Sequence, residues 1–141
     1  MTRSALIVAA FSLSFTVIGI LAMADEDHHH EDLTAAQLGT VHFPVSCAPA
    51  VQKPFERGVA LLHSFWYEEA EKEFVQIAKG DPSCAMAHWG VAMSVWHQLW
   101  DHPNAAITKR GLAELKTAQS LRPGTDRERG KIGRASCRER V

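Results

Sequence analysis

The sequence predicts an all-α fold built from helical hairpins. Three observations support this prediction: apolar residues recur every three or four positions from residue 51 onward, no stretch alternates convincingly between apolar and polar residues, and glycine or proline separates the periodic segments. We expect these helices to form consecutive antiparallel pairs.

The N-terminal residues predict an export signal that is not part of the fold. An apolar run, ALIVAAFSLSFTVIGILA, follows Arg3 and ends at the small-x-small cleavage site of residues 22–24. The alternative is an uncleaved anchor, because the run approaches the roughly 18 apolar residues that suggest a transmembrane helix. We expect residues 1–24 to be removed, which would leave no membrane span and a periplasmic or secreted protein.

Residues 25–42 predict a disordered leader that is acidic and rich in histidine. His28, His29 and His30 stand among acids and could chelate a transition metal, although a solvated charged leader is the simpler interpretation. Acidic residues outnumber basic ones between residues 25 and 130. Because nucleic-acid binding needs a concentrated basic face, we expect no nucleic-acid partner.

Four helices and the start of a fifth are predicted after an extended segment that Phe43-Pro44 and Ala48-Pro49 mark. The helical stretches are, in order, VQKPFERGVALLHSFW, YEEAEKEFVQIAKG, SCAMAHWGVAMSVWHQLW and PNAAITKRGLAELKTAQSL. The second ends at a C-terminal glycine, Gly80, and has glutamates on the face opposite its apolar residues. Thr125 and Glu128 have the T-x-x-E spacing of a capping box, which predicts the N-terminus of the fifth helix.

The C-terminal string IGRASCRERV resembles the translation of a common short-read sequencing adapter. We expect residues 131–141 to be non-native for this reason, and the chain to be an N-terminal fragment that continues beyond Gly130. The alternative is a disordered basic tail.

Two cysteines remain once this string is set aside, Cys47 and Cys84. An even pair in an exported protein predicts a disulfide, because such bonds form and persist in oxidising compartments. Two buried free thiols are the alternative, since sequence spacing cannot show that the two Cα atoms lie close enough.

The helices from residue 43 to residue 130 also contain a repeat signal. The offsets of the 34-residue tetratricopeptide repeat are matched by Gly58, Leu61, Ala70, Phe74 and Pro82. Gly58 and Ala70 are small where helices must approach, Phe74 would fill the space between hairpins, and Pro82 would end one unit. The stretches LGTVHFPVSCAPAV, DPSCAMAHWGVAMS and TDRERG make the chain resemble a family of exported bacterial tetratricopeptide-repeat proteins of poorly defined role. The resemblance implies an α-solenoid located outside the cytosol.

The same resemblance places the first helix of each hairpin on a concave binding surface. The positions that would face this surface are Phe55, Val59, Leu62, His63, Met86, Trp89, Met93, Trp96 and His97. Methionine together with aromatic residues suits adaptable recognition of apolar side chains, so a protein or peptide partner is expected. Ordinary core packing is the alternative, and later repeats or the N-terminal segment could also cover this surface.

No sequence motif predicts catalysis or a cofactor. The chain has no C-x-x-C-H, H-E-x-x-H or G-x-S-x-G motif and no glycine-rich phosphate loop. We therefore expect a binding protein that is not an enzyme. Two alternatives stay open: metal handling by the histidine-rich leader with His63 and His97, or recruitment for an enzyme encoded in the missing part.

Overall fold

The computed structural model describes residues 34–96 and 103–138, and within these ranges the protein is α-helical with no strand. The helices are α1 (Ala35–Leu38), α2 (Gln52–His63), α3 (Tyr67–Gly80), α4 (Ala85–Val95), α5 (Ala105–Ser120) and α6 (Asp126–Arg138). A turn of 3₁₀ helix, Pro49–Val51, leads into α2. The all-α prediction is confirmed. None of the helices in the described ranges has the length and apolar character needed to cross a membrane.

Local signals explain where these helices begin and end. After α2 the chain adopts a left-handed conformation at Phe65, with φ of 66°, and the Trp66 N–H donates to the Leu61 carbonyl at 3.0 Å. This is a Schellman ending, which lets the chain reverse direction between α2 and α3. The Asn104 side chain caps α5 by accepting bonds from two backbone N–H groups, each at 3.0 Å.

The helices pack in a regular order along the chain. Each of α2 to α5 contacts the helix that follows it, and contacts also join α2 to α4 and α4 to α6. Alternate helices therefore lie beside one another, so that one surface of the protein is shared by α2, α4 and α6.

The Phe74 ring on α3 is inserted at the crossing of α2 and α4. A Cβ atom added to Gly58 would lie 2.8 Å from Phe74 Cε1, and one added to Gly90 would lie 2.3 Å from Phe74 Cδ1. The Phe55 ring meets Phe74 edge-on, with centroids 5.5 Å apart, and Ala70 is fully buried one turn before Phe74. Close helix packing here requires glycine on both sides of the ring.

Two element boundaries differ from those that the sequence predicts, those of α1 and α4. Helix α1 lies inside the expected leader, because Leu38 and Val41 pack against the core. Helix α4 ends at Val95, and Trp96 has extended backbone. In the last turn of α4, Ser94 Oγ donates to the Gly90 carbonyl, so this side chain competes with the backbone for an acceptor of the helical hydrogen bonds. Helix α6 includes residues 131–138, with Ile132 buried one turn after Glu128, and the non-native origin of residues 131–141 stays a prediction. The expected signal peptide, the three leader histidines and His97 lie outside the described residues.

Candidate interaction surface

An extended stretch of the chain, residues 41–48, lies across the surface shared by α2, α4 and α6. We call this stretch the N-terminal segment. Its odd-numbered residues are partly buried and its even-numbered residues are exposed, which is the alternation of an extended strand. The residues that pack against the core are Val41, Phe43, Val45 and Cys47. We call the surface beneath it the docking surface; its members are Gln52, Phe55, Glu56, Asp81, Trp89, Gly124, Arg127 and Glu128.

Two side chains of α2 bind the backbone of the N-terminal segment. The Phe43 N–H donates to Glu56 Oε1 at 3.0 Å, and the Phe43 carbonyl accepts from Gln52 Nε2 at 2.9 Å. The Val45 N–H donates to Gln52 Oε1 at 3.1 Å. Gln52 therefore offers the segment both a donor and an acceptor, as a neighbouring β-strand would.

Glu128 on α6 binds the segment with both carboxylate oxygens. The Ser46 N–H donates to Oε1 and the Ser46 hydroxyl donates to Oε2, each at 2.6 Å. Oε2 also accepts from the Thr125 N–H at 3.0 Å, while the Glu128 N–H donates to Thr125 Oγ1 at 3.2 Å. These two bonds form the capping box that T-x-x-E predicts.

The buried position of Glu128 is stabilised by these donors. Its side chain is fully buried. Burial tends to raise the pKa of this carboxyl, but the hydrogen bonds from Ser46 and Thr125 outweigh that effect, so its pKa lies below the ordinary value. Glu128 is therefore a charged acceptor in the folded protein, which strengthens its bonds to Ser46.

The far end of the segment is fastened at the connection between α3 and α4. The Ala48 N–H donates to Asp81 Oδ2 at 2.8 Å, and the Ser83 hydroxyl donates to Asp81 Oδ1 at 2.6 Å. The hydrogen bond from Ala48, followed by that from Ser83, holds the pKa of Asp81 below its usual value. Beside this carboxylate, Cys47 and Cys84 form a disulfide with Cα atoms 4.9 Å apart, so the expected bond is confirmed.

The Phe43 ring contacts a side chain from each of the three helices. Its centroid lies 5.6 Å from that of Phe55 on α2, and it stacks on Trp89 of α4 at 6.1 Å and 25°. Arg127 of α6 places its guanidinium carbon 4.6 Å from the centre of the ring and also donates to the Pro44 carbonyl. The ring thus occupies an aromatic pocket closed by a cation.

The structure separates the residues that the sequence assigns to binding into two groups. Phe55, Val59, Met86 and Trp89 are buried, so a partner cannot contact them in this conformation. The other three, Leu62, Met93 and Trp96, are half-buried, and Leu62 and Met93 pack against the core.

The residues assigned structural roles lie where the chain packs or turns. Gly58, Ala70 and Phe74 are buried between helices, and Pro82 is exposed in the connection that precedes α4.

Sequence reasoning missed the polar side chains that hold the segment. Gln52 and Glu56 stand one turn apart on α2, and their side chains hydrogen bond to each other at 3.0 Å. An i, i+4 polar pair at the start of a helix, next to an extended stretch, was the available signal. The sequence identified Glu128 only as part of a helix cap, because no local sequence signal indicates its hydrogen bonds to Ser46.

One cluster in the described ranges combines three possible metal ligands: Cys47, Asp81 and Cys84, whose ligand atoms lie within 4.8 Å of one another. Both sulfurs belong to the disulfide, and a metal requires thiolates. This cluster therefore binds no metal in the oxidised protein. His63 is exposed at the end of α2. Its predicted partner, His97, lies outside the described residues, so a role of this pair in metal handling stays a prediction.

No protein-family model, curated protein or solved structure matches this chain. The resemblance to exported tetratricopeptide-repeat proteins therefore stays a prediction, and the case for function rests on the geometry of the docking surface.

Proposed function

We propose that this protein is an exported tetratricopeptide-like scaffold that binds an extended segment of another protein along its docking surface. The observation that carries the proposal is the binding of the N-terminal segment by side chains. Gln52, Glu56, Asp81 and Glu128 bond the backbone of residues 43–48. Backbone bonds supply affinity for an extended chain, and pockets for alternate side chains supply specificity.

The packing order supports the tetratricopeptide-like part of the proposal. Helices α2, α4 and α6 would be the first helices of successive hairpins, and contacts join α2 to α4 and α4 to α6. The resemblance assigns the binding surface to these same helices. Small residues at Gly58 and Gly90 allow the close approach that stacked hairpins need.

The N-terminal segment occupies this surface in the oxidised protein and competes with any partner. A tethered segment has an effective concentration on the order of millimolar, and the Cys47–Cys84 bond fastens it further. We therefore expect a partner to bind only after the N-terminal segment has left the docking surface.

The disulfide also supports a location outside the cytosol, since such bonds persist in oxidising compartments. The predicted cleavage after Ala24 agrees with this location. We propose export on these two grounds.

Peptide selection tests the proposal in the full-length chain. The open variant combines Phe43→Ala, Cys47→Ser and Cys84→Ser, which removes both the aromatic anchor and the covalent link. Panning a displayed library of random peptides should enrich binders to the open variant and far fewer to the oxidised wild type. Adding Glu56→Ala to the open variant should abolish their binding, because the backbone acceptor on α2 is lost.

Matched variants decide how the selection is interpreted. Cys47→Ser/Cys84→Ser with Phe43 retained should show intermediate binding, and Arg110→Ala, which removes a bond to Glu71 away from the docking surface, should leave binding unchanged. Circular dichroism must show that each variant keeps its helices. The proposal fails if folded open variant enriches no peptide, or if the enriched peptides bind equally well without Glu56.

A further inference from the structure

We infer that the docking surface selects partner segments in which an aromatic residue precedes a serine by three positions, the spacing of Phe43 and Ser46. The inference rests on the proposed function and adds the sequence preference of the partner. The N-terminal segment serves as the template, because it already occupies the surface and shows which of its side chains are recognised.

The aromatic position is defined by the pocket around Phe43. Trp89 stacks on the ring with planes 25° apart, and Phe55 meets it at a tilt of 56°. The Arg127 guanidinium lies over the ring at 4.6 Å. An aliphatic side chain in this position would keep part of the buried area but would lose both ring contacts and the cation–π interaction. The pocket therefore favours a flat ring.

The serine position is defined by Glu128 and Gly124. Glu128 accepts from both the backbone N–H and the hydroxyl of Ser46 at 2.6 Å, and the hydroxyl accepts from the Gly124 N–H at 3.1 Å. Alanine in place of Ser46 would leave the Gly124 N–H without this acceptor and would remove one bond to a charged group. An acidic or phosphorylated residue would be repelled by the Glu128 carboxylate.

Close packing against Ser46 restricts position 124 to glycine. A Cβ atom on Gly124 would lie 2.6 Å from both Cβ and Oγ of Ser46. The backbone at Gly124 therefore approaches the serine side chain directly, and a side chain at position 124 would collide with it.

The two intervening positions fix the register without adding a strict preference. Val45 uses its N–H to reach Gln52, while Pro44 has no N–H and offers only its carbonyl, which accepts from Arg127. The exposed side chain of Pro44 points away from the core. Because side chains alternate along an extended chain, a shift of one residue would remove the aromatic ring from its pocket. The separation between ring and serine is thus fixed.

A synthetic peptide tests the preference with the full-length open variant as receptor. The probe is fluorescently labelled GTVHFPVS, which corresponds to residues 39–46, with an amidated C-terminus. Fluorescence anisotropy should show binding of this peptide. Three changed peptides should each bind about tenfold or more weakly: Phe43→Leu, Ser46→Ala and a version with one glycine inserted before the serine. A peptide with Pro44→Ala is the matched control and should bind as the parent does.

Two receptor variants assign the effect to the docking surface. Adding Gly124→Ala to the open variant should weaken the parent peptide, because the new Cβ would occupy the space of the serine. Adding Arg110→Ala should have no effect. If the Phe43→Leu and Ser46→Ala peptides bind as tightly as the parent, the preference is refuted. Should their binding still require Glu56, the proposed function stands; if neither the parent nor any library peptide binds, both are refuted.

A measurement within the native chain covers the case in which the open variant does not fold. Phe43→Leu or Ser46→Ala in otherwise wild-type protein should speed hydrogen exchange of the backbone amides at positions 43, 45 and 46 by about tenfold or more, while Pro44→Ala should not. Equal exchange in all three variants would overturn the preference.

Discussion

At the scale of single residues, the crossing of α2 and α4 depends on the two glycines that contact Phe74. We predict that Gly90→Ala destabilises the protein by about 1–3 kcal/mol, because the added methyl group overlaps the ring and forces it from its position. Gly80→Ala is the control, since nothing lies within 4 Å of the added Cβ. Urea unfolding compares the two. A Gly90→Ala variant as stable as Gly80→Ala would contradict this packing.

The two carboxylates that hold the segment predict a loss of stability in acid. The pKa of Asp81 and that of Glu128 lie below their ordinary values in the folded protein. The stability that each contributes is present at neutral pH. It is lost as the pH falls below the ordinary pKa of the group, 4.5 for Glu128 and 3.8 for Asp81, through the lower pKa that the group has in the folded protein.

Glu128→Gln should make this dependence shallower, because one of the two shifted groups is removed. Urea midpoints measured at about pH 7 and about pH 4 give the comparison. The variant should be the less stable protein at neutral pH and should lose less stability in acid than the wild type does. Identical pH dependence in the two proteins would show that Glu128 is not a charged acceptor for Ser46.

At the scale of elements, the sequence predicts what local signals determine. The order of α2 to α5 and the N-terminus of α6 were predicted from three local signals. These are the periodic apolar residues, the glycine at the end of α3 and the T-x-x-E box. The repeat pattern predicted that Gly58 is small where helices approach and that Phe74 fills the space between hairpins, whereas the contact of Phe74 with Gly90 was not predicted.

Local sequence signals do not predict contacts between distant parts of the chain. Ser46 and Glu128 are 82 residues apart, and the polar residues that bind the segment have no periodicity that marks them. The sequence identified Trp89 as part of a candidate binding surface. Only the structure shows that Phe43 of the same chain stacks on it.

The disulfide links two elements that otherwise meet through hydrogen bonds. Its cysteines are 37 residues apart, and closing a loop of this length stabilises by about 4 kcal/mol in the chain-entropy model. We predict that Cys47→Ser/Cys84→Ser lowers the free energy of unfolding by up to about this amount. Reduction of the wild type is the matched control and should lower the free energy of unfolding by the same amount. Unchanged stability in both cases would contradict a fastening role for the bond.

At the scale of the whole molecule, the N-terminal segment joins α2 to α6, the last helix that the structure describes. It contacts Glu56 on α2, Trp89 on α4 and Glu128 on α6. One extended stretch therefore bridges three helices, each of which packs mainly against the helices before and after it in the chain. We expect the loss of this bridge to loosen the position of α6, because the hydrogen bonds of Arg127 to Pro44 and of Glu128 to Ser46 would be lost with it.

The central claim is that side chains of the docking surface bind the backbone of residues 43–48. Hydrogen exchange of the backbone amides at positions 43, 45, 46 and 48 in oxidised full-length protein tests it most directly. We predict slow exchange at all four, with a selective increase at Ser46 in a Glu128→Ala variant that keeps the disulfide. Exchange at the rate of an unstructured peptide, with the disulfide intact, would show that the segment is only tethered and would contradict the account.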